Sequence, residues 1–286
     1  MKEYNLVKGA TNIILSAFFF ALMGMFVKLA GDVPSFQKAF FRNVIAAFIA
    51  LFILLKNGDT LKWTKGCFKA LSFRAIFGFM GVILNFYAID KLNLSDALAL
   101  NKLSPFFAVV ASLVILKEKT NIKQLSIIAM AFIGSLFIIK PTEQLFNIAS
   151  LYGLMGGLCA GVAYAFVRQL SNQGERGTYI VFFFSAFSTL VLLPNLIFNY
   201  TPMSLMQFVF LILAGVCASL GQFTITAAYG YAPAKDVCVY DYTQMIFSTI
   251  LGFIFFGELP DILSFVGYGI ILAAAIIMYL YNKKYI

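Results

Sequence analysis

Apolar residues run along this chain in blocks of about twenty, the length that crosses the hydrocarbon core of a bilayer as a helix. The blocks lie near 9–30, 36–55, 70–90, 94–116, 122–140, 149–170, 178–199, 205–229, 234–257 and 262–281. Short polar and turn-forming segments separate them: Gly31-Asp32-Val33-Pro34, Asn57-Gly58-Asp59, Lys117-Glu118-Lys119, Gly174-Glu175-Arg176-Gly177, Thr201-Pro202 and Pro260-Asp261. These connections are too short to hold an extramembrane domain. The pattern predicts an all-α polytopic membrane protein of ten transmembrane helices, with its function among the helices.

Composition sharpens this reading. Hydrophobic residues make up 62% and charged residues only 12% of the 286 positions, against about 25% charged in a typical soluble domain. A water-soluble globule, a disordered chain and a disulfide-built secreted scaffold are excluded. Cys67, Cys159, Cys217 and Cys238 are scattered and read as small apolar side chains. The chain has no histidine, which removes imidazole metal sites, HExxH zinc chemistry and Ser-His-Asp catalysis. The formal charge of +9 is dispersed over loops between apolar blocks, the pattern of membrane orientation and not of nucleic-acid binding.

Lys2 and Lys8 precede the first apolar block with no small-residue cleavage site, so a retained first helix is expected in place of a signal peptide. With the N-terminus inward, the cytoplasmic segments hold Lys2, Lys8, Lys56, Lys62, Lys65, Lys69, Lys117, Lys119, Lys123, Arg176, Lys235, Lys283 and Lys284. Arg74 and Arg168 read as further orientation charges near cytoplasmic helix ends, and the outer loops hold only Lys38, Lys91 and Lys140. Both termini are therefore expected in the cytoplasm. The wealth of lysine, asparagine and isoleucine suits a bacterial source, hence a cytoplasmic membrane.

The chain also repeats itself. A shift of 140 positions lays Phe26-Val27-Lys28 on Phe166-Val167-Arg168, Ala75 on Gly215, Gly78 on Ala218, Gly81 on Gly221, Asp96 on Asp236 and Glu118 on Glu258 without a gap. Two repeats are expected, 1–141 and 142–286. Five helices per repeat is an odd number, so the second enters the membrane with opposite polarity. Inverted repeats of this kind build many secondary transporters, with a site near the midplane between the halves.

These residues resemble the EamA family of the drug/metabolite transporter superfamily, over essentially the whole chain. The likeness rests on Phe20-Ala21-Leu22-Met23-Gly24 running to Lys28, and on Phe40-Phe41-Arg42 opening helix 2. It rests also on "FYAIDKLNLSDALALNKLSPFFAVVASLVILKE", its partner "VYDYTQMIFSTILGFIFFGELP" and the closing Gly257 to Pro260. The resemblance implies a secondary carrier of small metabolites working by alternating access. It leaves the substrate open among amino acids, nucleosides, vitamins and sulfonium compounds.

Asp241 is the most informative position, because a charge in hydrocarbon costs about 2.5–3.5 kcal/mol even on the lenient insertion scale. Flanked by Tyr240, Tyr242 and Thr243, it should face the bundle interior, as a site for a cationic group or a coupled proton. The competing reading is a structural ion pair or a water-facing carboxylate. The family resemblance adds a carboxylate followed by tyrosine at the matching place. Lys102 stands beside Asn101, the repeat mate of Asp241. It either meets Asp241 or a substrate carboxylate, which would suit a zwitterion, or snorkels to the outer interface.

Asn85, Gln222 and Thr224, with Thr226, put hydrogen-bonding groups inside helices 3 and 8, where they line a cavity or join helices. Tyr87, Tyr164 and Tyr240 would wall such a cavity or anchor at interfaces. Arg42 and Lys28 are candidates for an outer gate, Arg42 by pairing with Asp90 or Asp32, although snorkelling is the simpler reading. Asp96 and Asp236 read as first-turn caps of helices 4 and 9, and Glu118 as the partner of its flanking lysines. The glycines at 78, 81, 153, 156, 157, 161, 221, 267 and 269 read as packing positions. Pro105, whose mate is Met245, predicts a kink in helix 4 alone.

No acid pair, nucleophile with a base, metal-ligand set or nucleotide-binding loop is visible, so neither an enzyme nor an ATP-driven pump is expected. The expected function is secondary active transport of a small polar metabolite, such as an amino acid or amine. The alternatives are a drug or nucleoside-like efflux carrier of the same fold, or a channel. No cofactor or metal is expected, a proton is the expected coupling partner, and two repeats would already make a complete carrier as a monomer.

Overall fold

The computed structural model describes residues 4–91, 100–140 and 148–284. The regular elements are all helical: α1 (Leu6–Leu29), α2 (Ser35–Lys56), α3 (Phe68–Lys91), α4 (Ser104–Ile115), α5 (Ile122–Ile139), α6 (Ile148–Asn172), α7 (Gly177–Phe198), α8 (Leu205–Tyr231), α9 (Ala234–Phe256) and α10 (Ile262–Lys284). Nine of these are long and apolar enough to cross a membrane among the described residues, α4 being the short one. The first part of the expected fourth span, Asp96 included, lies outside the described residues.

Local chemistry explains the helix ends. Asn5 caps α1 by accepting from the Lys8 amide, and reciprocal capping boxes open α5 (Asn121 with Gln124) and α8 (Ser204 with Gln207). Gly257 closes α9 in the left-handed region at φ 66°. The outward surface is apolar: Phe198, Ile262, Val114 and Phe48 stand exposed. Helices apolar on the outside as well as the inside belong in lipid.

The two halves interlock. α1 packs along α8 and α9, and its repeat mate α6 packs along α3 and α4 in the same way. α2 lies against α7 and α5 against α10, each joining mates. Small residues permit the closest approaches, since helices in lipid associate by packing and not by a hydrophobic drive. A methyl group on Gly81 would sit 3.1 Å from the Ala160 amide nitrogen, and one on Gly161 2.7 Å from the Ala108 amide nitrogen.

Both described ends of the chain reach one face of the bundle. The Tyr4 hydroxyl donates to Asp236 Oδ2 at 3.2 Å, and Gln124 Nε2 donates to Asp236 Oδ1 at 2.8 Å and to Asn282 Oδ1 at 3.2 Å. We call this the terminal face and its opposite the far face.

Candidate functional site

α4 and α9, mates in the repeat, are both interrupted at the same relative position. α9 opens with one α-turn, Ala234–Val237, tightens into a 3-10 segment, Cys238–Tyr242, and continues as an α-helix from Thr243. In α4's approach, Leu100 and Asn101 are helical, Lys102 and Leu103 form a turn, and the helix restarts at Ser104 with Pro105 in its first turn. Proline explains the first break, because it lacks an amide donor and suits a helix start. Met245 stands at the matching place in α9, so the kink expected in helix 4 alone has a counterpart with no proline to announce it.

The two breaks carry the two charges. Lys102 Nζ donates to Asp241 Oδ2 at 3.0 Å and to Gln244 Oε1 at 2.6 Å, and the Tyr242 hydroxyl donates to the Lys102 carbonyl at 3.0 Å. The side chains of Lys102 and Asp241 are only 5% and 13% exposed, so Lys102 is turned inward and does not reach an interface. Tyr242 is fully buried. The charges are thus held by partners that also answer the polar groups freed where the helices break. Asn101 is half-buried beside the pair.

A second cationic group lies in the same interior. Arg74 on α3 is 3% exposed. Its guanidinium stands 4.1 Å over the Phe184 ring of α7 and donates through one terminal nitrogen to Gln222 Oε1 of α8 at 3.3 Å. Gly78, one turn along α3, makes room for it, because a methyl group there would collide with the guanidinium and with Phe184. Arg42 of α2 is half-buried. Tyr164 stacks on the buried Tyr229, centroids 5.3 Å apart.

Other expected residues divide. Asn85 Oδ1 is buried without a hydrogen-bond partner among the described residues. The Thr224 hydroxyl bonds the Leu220 and Gly221 carbonyls of its own helix and is spent there. Tyr240 is buried on the terminal side, near Asp236 and Tyr279, and not against the charged pair. Tyr87 is exposed and edge-on to Tyr152 at 4.7 Å. On the far face Lys28 pairs with Glu258, both side chains well exposed, while Lys140 pairs with Asp261. Arg42 makes no ion pair with Asp32; the Asp90 side chain lies outside the described residues.

Four residues, Arg74, Arg168, Glu118 and Asp236, take parts that their positions in the sequence did not announce. Arg74 and Arg168 are not free orientation charges. Arg168 Nε pairs with Glu118 Oε1 at 3.4 Å, and its NH1 donates to the Tyr229 and Gly230 carbonyls at 3.1 and 3.2 Å. Glu118 therefore meets an arginine from the other repeat, not its flanking lysines. Burial pushes the Glu118 carboxyl up, with Arg168 opposing. Asp236 lies in the first turn of α9, as its position suggests, but α9 starts at Ala234 after Pro233 with no side-chain cap. It ties Tyr4, α5 and α9 together instead. Burial and the Asp236 carboxylate push the Tyr4 hydroxyl up. Arg74 stands one turn before Gly78 on an apolar helix, but its inward direction cannot be read from spacing.

The arrangement is a buried pair of opposite charges inside an apolar bundle, one from each half of the chain, with Gln244 and Tyr242 as its hydrogen-bonding neighbours. Sequence comparison gives it a context. The EamA-like transporter family matches residues 7–140 and again 147–280. The chain is 31% identical over 283 residues to the pseudopaline exporter CntI of Pseudomonas aeruginosa, covering 98% of each protein. It is 26% identical over 290 residues to a riboflavin transporter of Vibrio cholerae, covering 99% of this chain and 96% of that one. A solved crystal structure 14% identical in sequence superposes with a TM-score of 0.82 over 96% of this chain and 98% of its own, which establishes the shared fold. The chain belongs to the EamA-like transporter family, and is a multi-pass membrane transporter for a small metabolite and not an enzyme.

Proposed function

We propose that this transporter is a secondary active carrier of a small polar metabolite, an amino acid, amine or related compound. It works by alternating access, with Lys102 and Asp241 as its substrate-binding and coupling groups. The observation that carries the reading is the buried Lys102–Asp241 pair at the matched breaks of α4 and α9. An ion pair so placed is self-neutralised when the site is empty. A zwitterion can take it apart without leaving either charge unpaired: its amine goes to Asp241 and its carboxylate to Lys102. A proton on Asp241 achieves the same for one partner, and this is the coupling step. Gln244, Tyr242, Tyr164, Asn101, Asn85 and Gln222 supply the surrounding polar contacts.

The terminal face is cytoplasmic in this reading, on the lysine and arginine bias. The repeats divide at 141/142, and they exchange access by rocking across the α1–α8 and α3–α6 contacts. Lys28 with Glu258 closes the outer side and Arg168 with Glu118 the inner. Efflux of a drug-like or nucleoside-like compound is the second reading, favoured by the role of the Pseudomonas relative as an exporter.

The test is flux in proteoliposomes holding the whole protein, against a panel of labelled amino acids, amines and nucleosides. Saturable counterflow that disappears in Asp241→Asn supports the reading, as does a rate that changes with the pH gradient. Counterflow unchanged in Asp241→Asn overturns it.

A further inference from the structure

We infer that the connection between α2 and α3, residues 57–67, is a docking platform for anionic phospholipid in the leaflet at the terminal face. It stands apart from the Lys102–Asp241 pair and does not depend on that pair's role.

The repeat shows that this connection is more than a link. Its mate, residues 199–204 between α7 and α8, is shorter and carries no charge. The α2–α3 connection and the helix ends beside it carry Lys56, Lys62, Lys65 and Lys69, all exposed. The same stretch holds Trp63, the only tryptophan of the chain. Joining two spans needs neither the added length nor these residues.

The second repeat holds the connection as a fixed surface. The Arg176 guanidinium donates to the Thr60 and Lys62 carbonyls at 2.9 and 2.6 Å and pairs with Asp59 at 3.2 Å. Glu175, its side chain fully buried, accepts from the Thr64 amide at 2.8 Å. The Tyr179 hydroxyl donates to the Leu61 carbonyl at 3.1 Å. Asp59 and Glu175, the carboxylates of these two connections, are thereby used. Among the described residues no carboxylate pairs with any of the four lysines, so their charge is left for an anion from outside.

The apolar side chains set the depth. Leu61, Trp63 and Phe68 are 48%, 45% and 51% exposed, and Trp63 leans on Phe68 with ring centroids 5.0 Å apart. Phe68 opens α3, so the indole lies at a helix end, the level of the headgroups where tryptophan concentrates. Indole and lysines together match the two parts of a phospholipid that meet there, acyl chain and phosphate. A zwitterionic lipid offers the same acyl chain, but its own cation offsets the phosphate. Lysine bias alone accounts for the orientation of the chain; it requires neither the tryptophan nor the clamp by Arg176.

The test uses Trp63 as its own reporter. The full-length protein is reconstituted in mixed bilayers of phosphatidylcholine and phosphatidylglycerol, with brominated acyl chains on one lipid or the other. Tryptophan quenching then gives the relative affinity of the two lipids for the site. Phosphatidylglycerol should be preferred by about fivefold or more, the effect of one engaged lysine. The preference should collapse at about 1 M salt, where the screening length is about 3 Å. Lys56→Gln, Lys62→Gln, Lys65→Gln and Lys69→Gln together should abolish it. Lys117→Gln with Lys123→Gln, exposed on the same face but in the α4–α5 connection, should leave it intact. The salt experiment needs no variant and decides the matter even where the fourfold variant fails to fold. Equal quenching by the two lipids overturns the inference, as does a preference that survives high salt or the fourfold variant. A preference lost with Lys117 and Lys123 overturns it too, by assigning the effect to the general charge of the face. No quenching by either lipid would mean that something else, a second copy of this chain included, covers the indole, and the inference falls.

Discussion

Lys28 and Arg168 stand 140 positions apart, at the same place in the two repeats, and each holds the glutamate that follows the fourth helix of the opposite repeat. Lys28 takes Glu258 on the far face and Arg168 takes Glu118 on the terminal face. The pairs are mates in sequence but unequal in setting. The far pair is 48% and 58% exposed, and the terminal pair 14% and 18%. Arg168 is anchored further by two carbonyls at the end of α8. The structure is therefore more firmly latched at its terminal face.

That inequality predicts an asymmetry in mutants. An exposed pair is worth about 0–1 kcal/mol, so Glu258→Gln should hardly move the melting temperature. Arg168→Gln should lower it clearly and shift transport toward the state open at the terminal face. Thermal unfolding of both variants checks the first point, and cysteine accessibility from each side of the membrane checks the second.

Lys102 and Asp241 predict non-additivity. Removing one partner of a buried pair costs about 3–5 kcal/mol, because it strands a charge, while replacing both by apolar groups is often tolerated. Lys102→Met should therefore be less stable than Lys102→Met with Asp241→Leu. A double-mutant cycle measured by unfolding in detergent decides this, and additive losses would contradict a coupled pair.

The glycines at 78 and 161 should fail differently. A methyl group on Gly161 meets backbone and Cβ atoms of Phe107 and Ala108 at 2.6–2.8 Å, so Gly161→Ala should cost about 1–3 kcal/mol through overpacking. On Gly78 the methyl group meets the flexible end of Arg74 as well as the Phe184 ring. Gly78→Ala should therefore disturb ligand binding more than stability. Melting temperature and ligand affinity, measured together, separate the two.

Acidification should act oppositely on the two faces. Burial holds the Glu118 carboxyl above its ordinary value. Its contribution to the fold is thus present at low pH and lost as pH rises through the raised value, and its proton is taken up early on acidification. Asp261 is the reverse: its hydrogen bond with Lys140, aided by Ser264, lowers it to about 2. Its contribution is present above the ordinary carboxylate value and lost only as pH falls toward 2. As pH falls toward 2, hydrogen exchange, corrected for the intrinsic rate, should rise near residues 261–264 and should not rise near residues 228–232. Glu118→Gln should leave the rise near 261–264 in place.

Much of this architecture was legible in the sequence, because lipid imposes span length and apolarity on every helix, and a constant offset of 140 exposes the repeat. Asp241 and Lys102 were visible as charges out of place in apolar blocks, although spacing left the inward turn of Lys102 open. Arg74 was not legible. It lies within two turns of a helix end, where the sequence cannot distinguish an arginine that snorkels from one that folds inward over a glycine. The 3-10 segment that holds Asp241 was hidden for a related reason: no proline marks it, and the partner of its charge, Lys102, lies far away in the chain. Asp236 looked like a helix cap because its partners, Tyr4 and Gln124, are far away in the chain.

The most direct measurement is counterflow in proteoliposomes, using whichever panel compound the wild type carries fastest, repeated with Asp241→Asn and Lys102→Met in protein shown to be monodisperse. The account predicts that both variants lose counterflow and that the wild-type rate depends on pH. Wild-type counterflow in either variant would contradict it.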